Sequence, residues 1–191
     1  GHGVTPGLIM MMAQTVHATV AFEQGHDSRD AVVATNRLLF NNVHERLNET
    51  HFMTFVSLRY LGDGLFEHAG AHLRIIVYRS QQKRCELIPT KGIYLNLKKD
   101  ISKSVTNNYF TLDKDDIMIL YTDGLTEAKN QNGELYDVDW FIGCIEHYAG
   151  KRLEASQMNR LLMEGVLNWC NGVQEDDMTL LIVKRKGDSD E

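Results

Sequence analysis

Asp116-Ile117-Met118-Ile119-Leu120-Tyr121-Thr122-Asp123-Gly124-Leu125-Thr126-Glu127 is the stretch on which the reading of this chain turns. Ile117 to Tyr121 form an unbroken apolar run with no polar face. Such a run fits a strand covered on both sides, and periodicity alone leaves a buried helix segment as the alternative. Gly124 permits a sharp turn, so the Asp123 carboxylate is expected where a buried strand emerges at a sheet edge. A second acidic group stands at a strand's beginning. Asp176 and Asp177 precede Met178 to Val183, another apolar run rich in β-formers.

If those two strands are antiparallel neighbours, roughly 4.8 Å apart, the carboxylate that closes one and the pair that opens the other meet at the same edge. Converging aspartates repel one another unless cations hold them, and hard oxygen donors suit Mg²⁺ or Mn²⁺. Taken singly, Asp-Gly reads as a turn dipeptide and Asp-Asp as a solvated pair. Their joint placement against two buried strands favours a metal site.

Composition bounds the rest. The chain has 191 residues, 43% of them hydrophobic and 24% charged, with a formal charge of −6, as expected for one globular domain, 1–191, with a sizeable core. That charge leaves no basic footprint for nucleic acid. Cys85, Cys144 and Cys170 are too few and too far apart for a disulfide framework or a cysteine zinc site, so buried thiols in a reducing, cytoplasmic setting are expected. No apolar run approaches the roughly 20 residues that span a bilayer, and no leader is visible.

From the start, Thr5-Pro6 reads as the opening of a helix through about Phe22, with Leu8, Ile9, Met12, Val16 and Val20 as its core stripe. Met10 to Met12 read as adaptable core filling. Asp27 or Ser28 caps a second helix, with Val32, Val33, Leu39, Phe40, Val43 and Leu47 along one face. Strands follow at Met53–Tyr60 and Leu65–Ala69, joined by a turn at Leu61 to Gly64. Further strands are expected at Leu73–Tyr78, Arg84–Ile88 and Val105–Leu112. Asp113 to Asp116 reads as a solvated, charged turn lacking the glycine and distal glutamate of a calcium loop. His68 and His72, four apart on strand and turn, read as packing and turn residues in preference to a zinc pair. Helices are expected at about Val138–Tyr148 and Glu154–Cys170, and a closing strand at Met178–Lys184. Two helices, a block of hairpins, two helices and a last strand do not alternate as βαβ units. The class is therefore α+β, two antiparallel sheets packed as a sandwich and flanked by helices. The same order counts against a receiver-type phosphoacceptor, which needs alternating βα units.

Five blocks in order then carry a resemblance: Gly1-His2-Gly3-Val4, Phe52-Met53-Thr54-Phe55, Ala69-Gly70-Ala71-His72, Tyr121-Thr122-Asp123-Gly124-Leu125-Thr126-Glu127-Ala128 and Asp176-Asp177-Met178-Thr179. Together they resemble the SpoIIE/RsbU branch of the PPM metal-dependent serine/threonine phosphatases. The resemblance implies an α-β-β-α sandwich. It also implies two divalent ions bridged by Asp123, one of them held by Asp176, with Asp177 in a more variable neighbouring position. Gly1 matches a glycine whose carbonyl reaches a metal, and His2 a histidine proposed in some relatives as general acid. The chemistry implied is hydrolysis of phosphoserine or phosphothreonine by metal-activated water, and the substrate implied is a phosphorylated STAS-type anti-anti-sigma protein. The alternative is a non-catalytic interaction module on the same scaffold.

The sequence departs from the pattern twice. Ala69-Gly70-Ala71-His72 replaces an Ala-Gly-His followed by a proline turn. The family's first metal-binding aspartate and opening strand precede Gly-His-Gly, upstream of this chain's first residue. The chain by itself is therefore expected to hold an empty or singly occupied site, to show little activity, and to expose a sheet edge that a second copy could cover as a homodimer.

Overall fold

The computed structural model describes residues 4–22, 25–47, 50–151 and 153–187. The fold is mixed α+β with two antiparallel sheets and helices, the class expected. The chain divides into two compact units. One is built on the residues up to His72 together with Thr90–Phe110, the other on Leu73–Pro89 together with the residues from Thr111 onward.

In the first unit, α1 (Val4–Phe22) and α2 (Ser28–Phe40) accompany a three-stranded sheet. Its order is β1 (Phe55–Gly62), β2 (Leu65–Ala71), β5 (Asn108–Thr111). Asp27 caps α2, its side chain accepting the Asp30 N–H at 2.8 Å. A single π-helical turn, Asn41–Arg46, continues α2. Ile9, Ala13, Val32, Leu39, Val43, Ala69, Leu95, Ile101 and Val105 form the core. Glu67 is buried and accepts from the Ser28 N–H and the Tyr109 hydroxyl, both at 2.9 Å, with the Arg59 guanidinium 3.1 Å away. Those partners offset the cost of taking a carboxylate out of water. Of the expected stripe Ile9 is buried and Met12 packs against the core, joined by Ala13, whereas Leu8 is about half exposed; of the methionine run only Met12 fills core space, Met10 and Met11 being exposed. Leu47 is exposed as well.

In the second unit the sheet order is β4 (Arg84–Ile88), β3 (Ile75–Arg79), β6 (Ile117–Tyr121), β7 (Leu180–Lys184). All neighbours are antiparallel. Strand β6 is central, and its apolar run is explained by that position, with Ile117, Met118, Ile119 and Tyr121 all buried. Ile117, Ile119 and Tyr121 pack with Phe141, Ile145, Met158, Leu162 and Val166 of α4 (Val138–Ala149) and α5 (Ala155–Trp169). At roughly 1.5–3 kcal/mol per buried side chain, this cluster anchors the strand that carries the acidic motif.

The charged turn before β6 corrects the sequence reading. Asp116 is only 1% exposed. Its carboxylate accepts the Ser80 N–H at 2.8 Å, Arg79 Nη1 at 2.9 Å and the Asp113 N–H at 3.0 Å. Arg79 in turn reaches Glu86 at 2.7 Å and the Thr111 carbonyl at 2.6 Å. The third aspartate of a charged tetrad is thus an internal clamp, because a neighbouring strand brings a guanidinium to it.

Candidate metal centre

The acidic site is assembled at the far end of β6. The strand pairs with β7 in the register Ile117↔Lys184 through Tyr121↔Leu180. The ladder continues one step beyond the strands, where the Thr122 N–H donates to the Thr179 carbonyl at 3.1 Å. Antiparallel pairing then carries Asp123 and the Asp176-Asp177 segment to the same sheet end, as the two runs implied. Strand β7 itself begins at Leu180, later than expected, so both aspartates lie in an irregular segment and not at the first paired residue.

Asp123 is the first residue of a one-turn helix, α3 (Asp123–Thr126), with Thr122 as its N-cap. The chain does turn at the strand end, with Gly124 inside the helical turn and not at positive φ. What the glycine provides is space. A Cβ at 124 would lie 2.6 Å from the Asp177 carbonyl oxygen and 3.3 Å from that of Asp176. The absence of a side chain lets the two acid-bearing backbones lie against each other. The Thr122 hydroxyl donates to the Asp177 carbonyl and accepts the Thr179 N–H, each at 2.9 Å. Lys129 adds an ion pair to Glu175 at 2.9 Å. Sequence reasoning picked out Asp123, Asp176 and Asp177, and missed Thr122, which carries no chemical signature of its own.

All three aspartates are exposed. Asp176 Oδ1 accepts the Asp177 N–H at 2.8 Å. The donor set, carboxylate oxygens from two adjacent segments, has the right chemistry for a hard divalent ion. Among the described residues, however, no three His, Cys, Asp or Glu side chains are gathered closely enough to hold one. These carboxylates fit as part of a divalent-metal site and do not close one by themselves. Gly1 and His2, the other two expected site residues, lie outside the described residues.

A cysteine route has no support in the geometry. Burial, and then the nearby Glu146 carboxylate, push the Cys85 thiol up to about 12, which keeps it protonated and weakly nucleophilic. Cys144 accepts the Tyr136 hydroxyl at 3.2 Å, and Cys170 is buried. His68 is packing, as expected: it is buried in β2, with its ring 5.9 Å from that of Phe110. Among the described residues, no helix is long and apolar enough to cross a membrane.

Comparison with known proteins agrees with this architecture. Residues 1–186 match the family described as Stage II sporulation protein E (SpoIIE). The phosphoserine phosphatase RsbU of Bacillus subtilis (strain 168) is 26% identical over 188 residues, covering 97% of this chain and 53% of that protein. The chain thus spans about half the length of that curated relative. Among solved structures, the RsbU and RsbW domains of Rv1364c from Mycobacterium tuberculosis superpose with a TM-score of 0.75 at 20% identity, covering 97% of this chain and 51% of that one. The catalytic domain of the serine/threonine phosphatase PstP, solved with two manganese ions, superposes with a TM-score of 0.65 at 14% identity, covering 94% and 80%. At these identities the structural matches speak to fold.

Proposed function

The chain belongs to the SpoIIE family, a PPM-type phosphatase domain related to RsbU, and from that premise we propose that it hydrolyses phosphoserine or phosphothreonine on a regulatory protein of the STAS-type anti-anti-sigma class. The observation that carries the reading is the convergence of Asp123 with Asp176-Asp177 at one end of the β6–β7 pair. Asp123 and Asp176 would hold Mn²⁺ or Mg²⁺, with Asp177 beside them. The Gly1 carbonyl and the upstream aspartate would complete a two-ion site, with His2 as general acid. Bound there, the ions supply a water of lowered pKa and offset charge on the phosphoryl oxygens. The protein's own part is to bring the two acidic segments together at the end of the β6–β7 pair, through the β6 core and the Thr122 and Gly124 contacts. A cytoplasmic setting suits its three free cysteines.

The test is Asp123→Asn in the full-length protein, assayed by Mn²⁺-dependent phosphate release from a phosphoserine STAS-type protein. Activity should fall by at least about 100-fold, more than the 10–100-fold that follows loss of an outer-shell partner. Because Asp123 is exposed, stability should stay within about 0.5 kcal/mol. Activity kept to within a few-fold removes Asp123 from the metal centre. The second reading, an interaction module on the same scaffold, needs no closed metal site, and among the described residues no three acidic, histidine or cysteine side chains close one. On that reading the wild-type protein binds the partner without turnover, and Asp123→Asn leaves binding unchanged.

A further inference from the structure

Thr122 occupies an N-cap position, with φ −100° and ψ 158°, yet makes no side-chain cap bond. A hydroxyl there ordinarily accepts an N–H from the first turn of its own helix. Here both its functions are directed across to the other acidic segment. The proton goes to the Asp177 carbonyl and a lone pair takes the Thr179 N–H, each at 2.9 Å. The backbone N–H of the same residue holds the Thr179 carbonyl at 3.1 Å. The backbone ladder reaches only as far as Thr179, so it does not fix residues 176–178, which carry both carboxylates. Gly124 lets that segment approach, and Thr122 holds it there.

We propose that Thr122 is a positioning residue whose hydroxyl sets the separation of the Asp123 carboxylate from those of Asp176 and Asp177, and thereby the affinity for a divalent cation. This inference rests on the metal-site reading above. Mg²⁺-sized ions demand oxygen donors at about 2.0–2.1 Å in near-octahedral array, so a segment free to drift by an ångström is a poor ligand carrier. Valine has nearly the shape of threonine and lacks the hydroxyl, so Thr122→Val deletes both bonds with little change in volume. Thr122→Ser keeps the hydroxyl. Asn159→Ala is the structural control. It removes the bond from Asn159 Nδ2 to the carbonyl of Leu180, the first residue of β7, at 2.8 Å, a bond in which none of the three aspartates takes part.

Two readouts on the full-length protein test the proposal: calorimetric titration with Mn²⁺ alone, and amide hydrogen exchange of Thr179 without metal. Thr122→Val should weaken Mn²⁺ binding by about tenfold or more, the lower end of what losing an outer-shell partner does. It should also speed exchange at the Thr179 amide. Thr122→Ser should restore both, and Asn159→Ala should leave Mn²⁺ affinity unchanged. Wild-type affinity or unchanged Thr179 exchange in Thr122→Val overturns the proposal, as does an equal loss of affinity in Asn159→Ala. A wild-type protein that binds no Mn²⁺ overturns the metal-site reading itself, a result distinct from a wild type that binds and a valine variant that binds equally.

Discussion

Replacing Gly124 by alanine sets two effects of opposite sign against each other. Gly124 lies within a helical turn, where alanine is favoured over glycine by about 1 kcal/mol in a helix interior and by less in so short a helix. Against this, the added methyl would meet the Asp177 carbonyl oxygen at 2.6 Å and its carbon at 3.1 Å. Ordinary contact begins at 3.4 Å, so the Asp176-Asp177 backbone has to retreat by about 0.8 Å. Overpacking of that kind costs about 1–3 kcal/mol, and the obstacle is backbone, which cannot swing aside as a side chain can. The steric term wins, and Gly124→Ala should be destabilised by about 1 kcal/mol, lowering Tm by about 2–4 °C in a chain of this size. The effect on function should be larger, because a misplacement near 1 Å costs on the order of 100-fold in rate. Urea midpoints at unchanged m-value and Mn²⁺-dependent phosphate release measure the two. Gly143→Ala is the contrast. In the middle of α4, a Cβ there meets nothing within 4 Å. That variant should gain up to about 1 kcal/mol from propensity alone. If Gly124→Ala is as stable as Gly143→Ala and retains full activity, the two acidic segments are not pressed together and the account of the site is wrong.

Asp116→Ala should cost about 2 kcal/mol by urea unfolding, because it leaves two backbone N–H groups without their acceptor and takes from Arg79 one of its two carboxylate partners, Glu86 remaining. Asp116→Asn should recover part of that, and a loss under about 1 kcal/mol for the alanine variant contradicts the clamp. His68 is buried, its Nδ1 has no hydrogen-bond partner among the described residues, and burial lowers its pKa from 6.5. The unfolded chain therefore binds a proton at a pH where the native state does not. Its contribution is fully present above about pH 6.5 and is lost as pH falls through that value toward the lowered native pKa. His17, lowered by burial too, adds to the same limb. Urea midpoints between pH 7 and 5 should fall less steeply for His68→Asn, and an identical slope would rule His68 out as a source of acid sensitivity.

Elements whose signals are local were legible in the chain before any packing was known. The run Ile117–Tyr121 and the strand Arg84–Ile88 lie where the apolar pattern put them. The helices near Val138 and Glu154 were legible from their amphipathic repeat, and their ends moved by only a residue or so. The five ordered blocks from Gly1-His2-Gly3-Val4 to Asp176-Asp177-Met178-Thr179 pointed to the family, because their order along the chain is a covalent fact. Contacts between residues far apart in sequence were settled by the tertiary structure alone. Asp116 looked like solvated charge until Arg79, 37 residues away, was brought against it. Gly124 looked like a turn glycine, yet it makes room for a carbonyl 53 residues downstream, and no local propensity encodes that. Thr122 looked like an ordinary strand-end threonine, and its partners at Asp177 and Thr179 lie 55 and 57 residues on. Along α1, an apolar helix without charged residues gave no contrast between faces, so Leu8, Met10 and Met11 could not be told from Ile9 and Ala13 until packing chose the buried side. Amphipathic pattern reports which side of an element is buried only when the other side is polar, and hydrogen bonds across the sheet end depend on register, which the antiparallel pairing of β6 with β7 supplies.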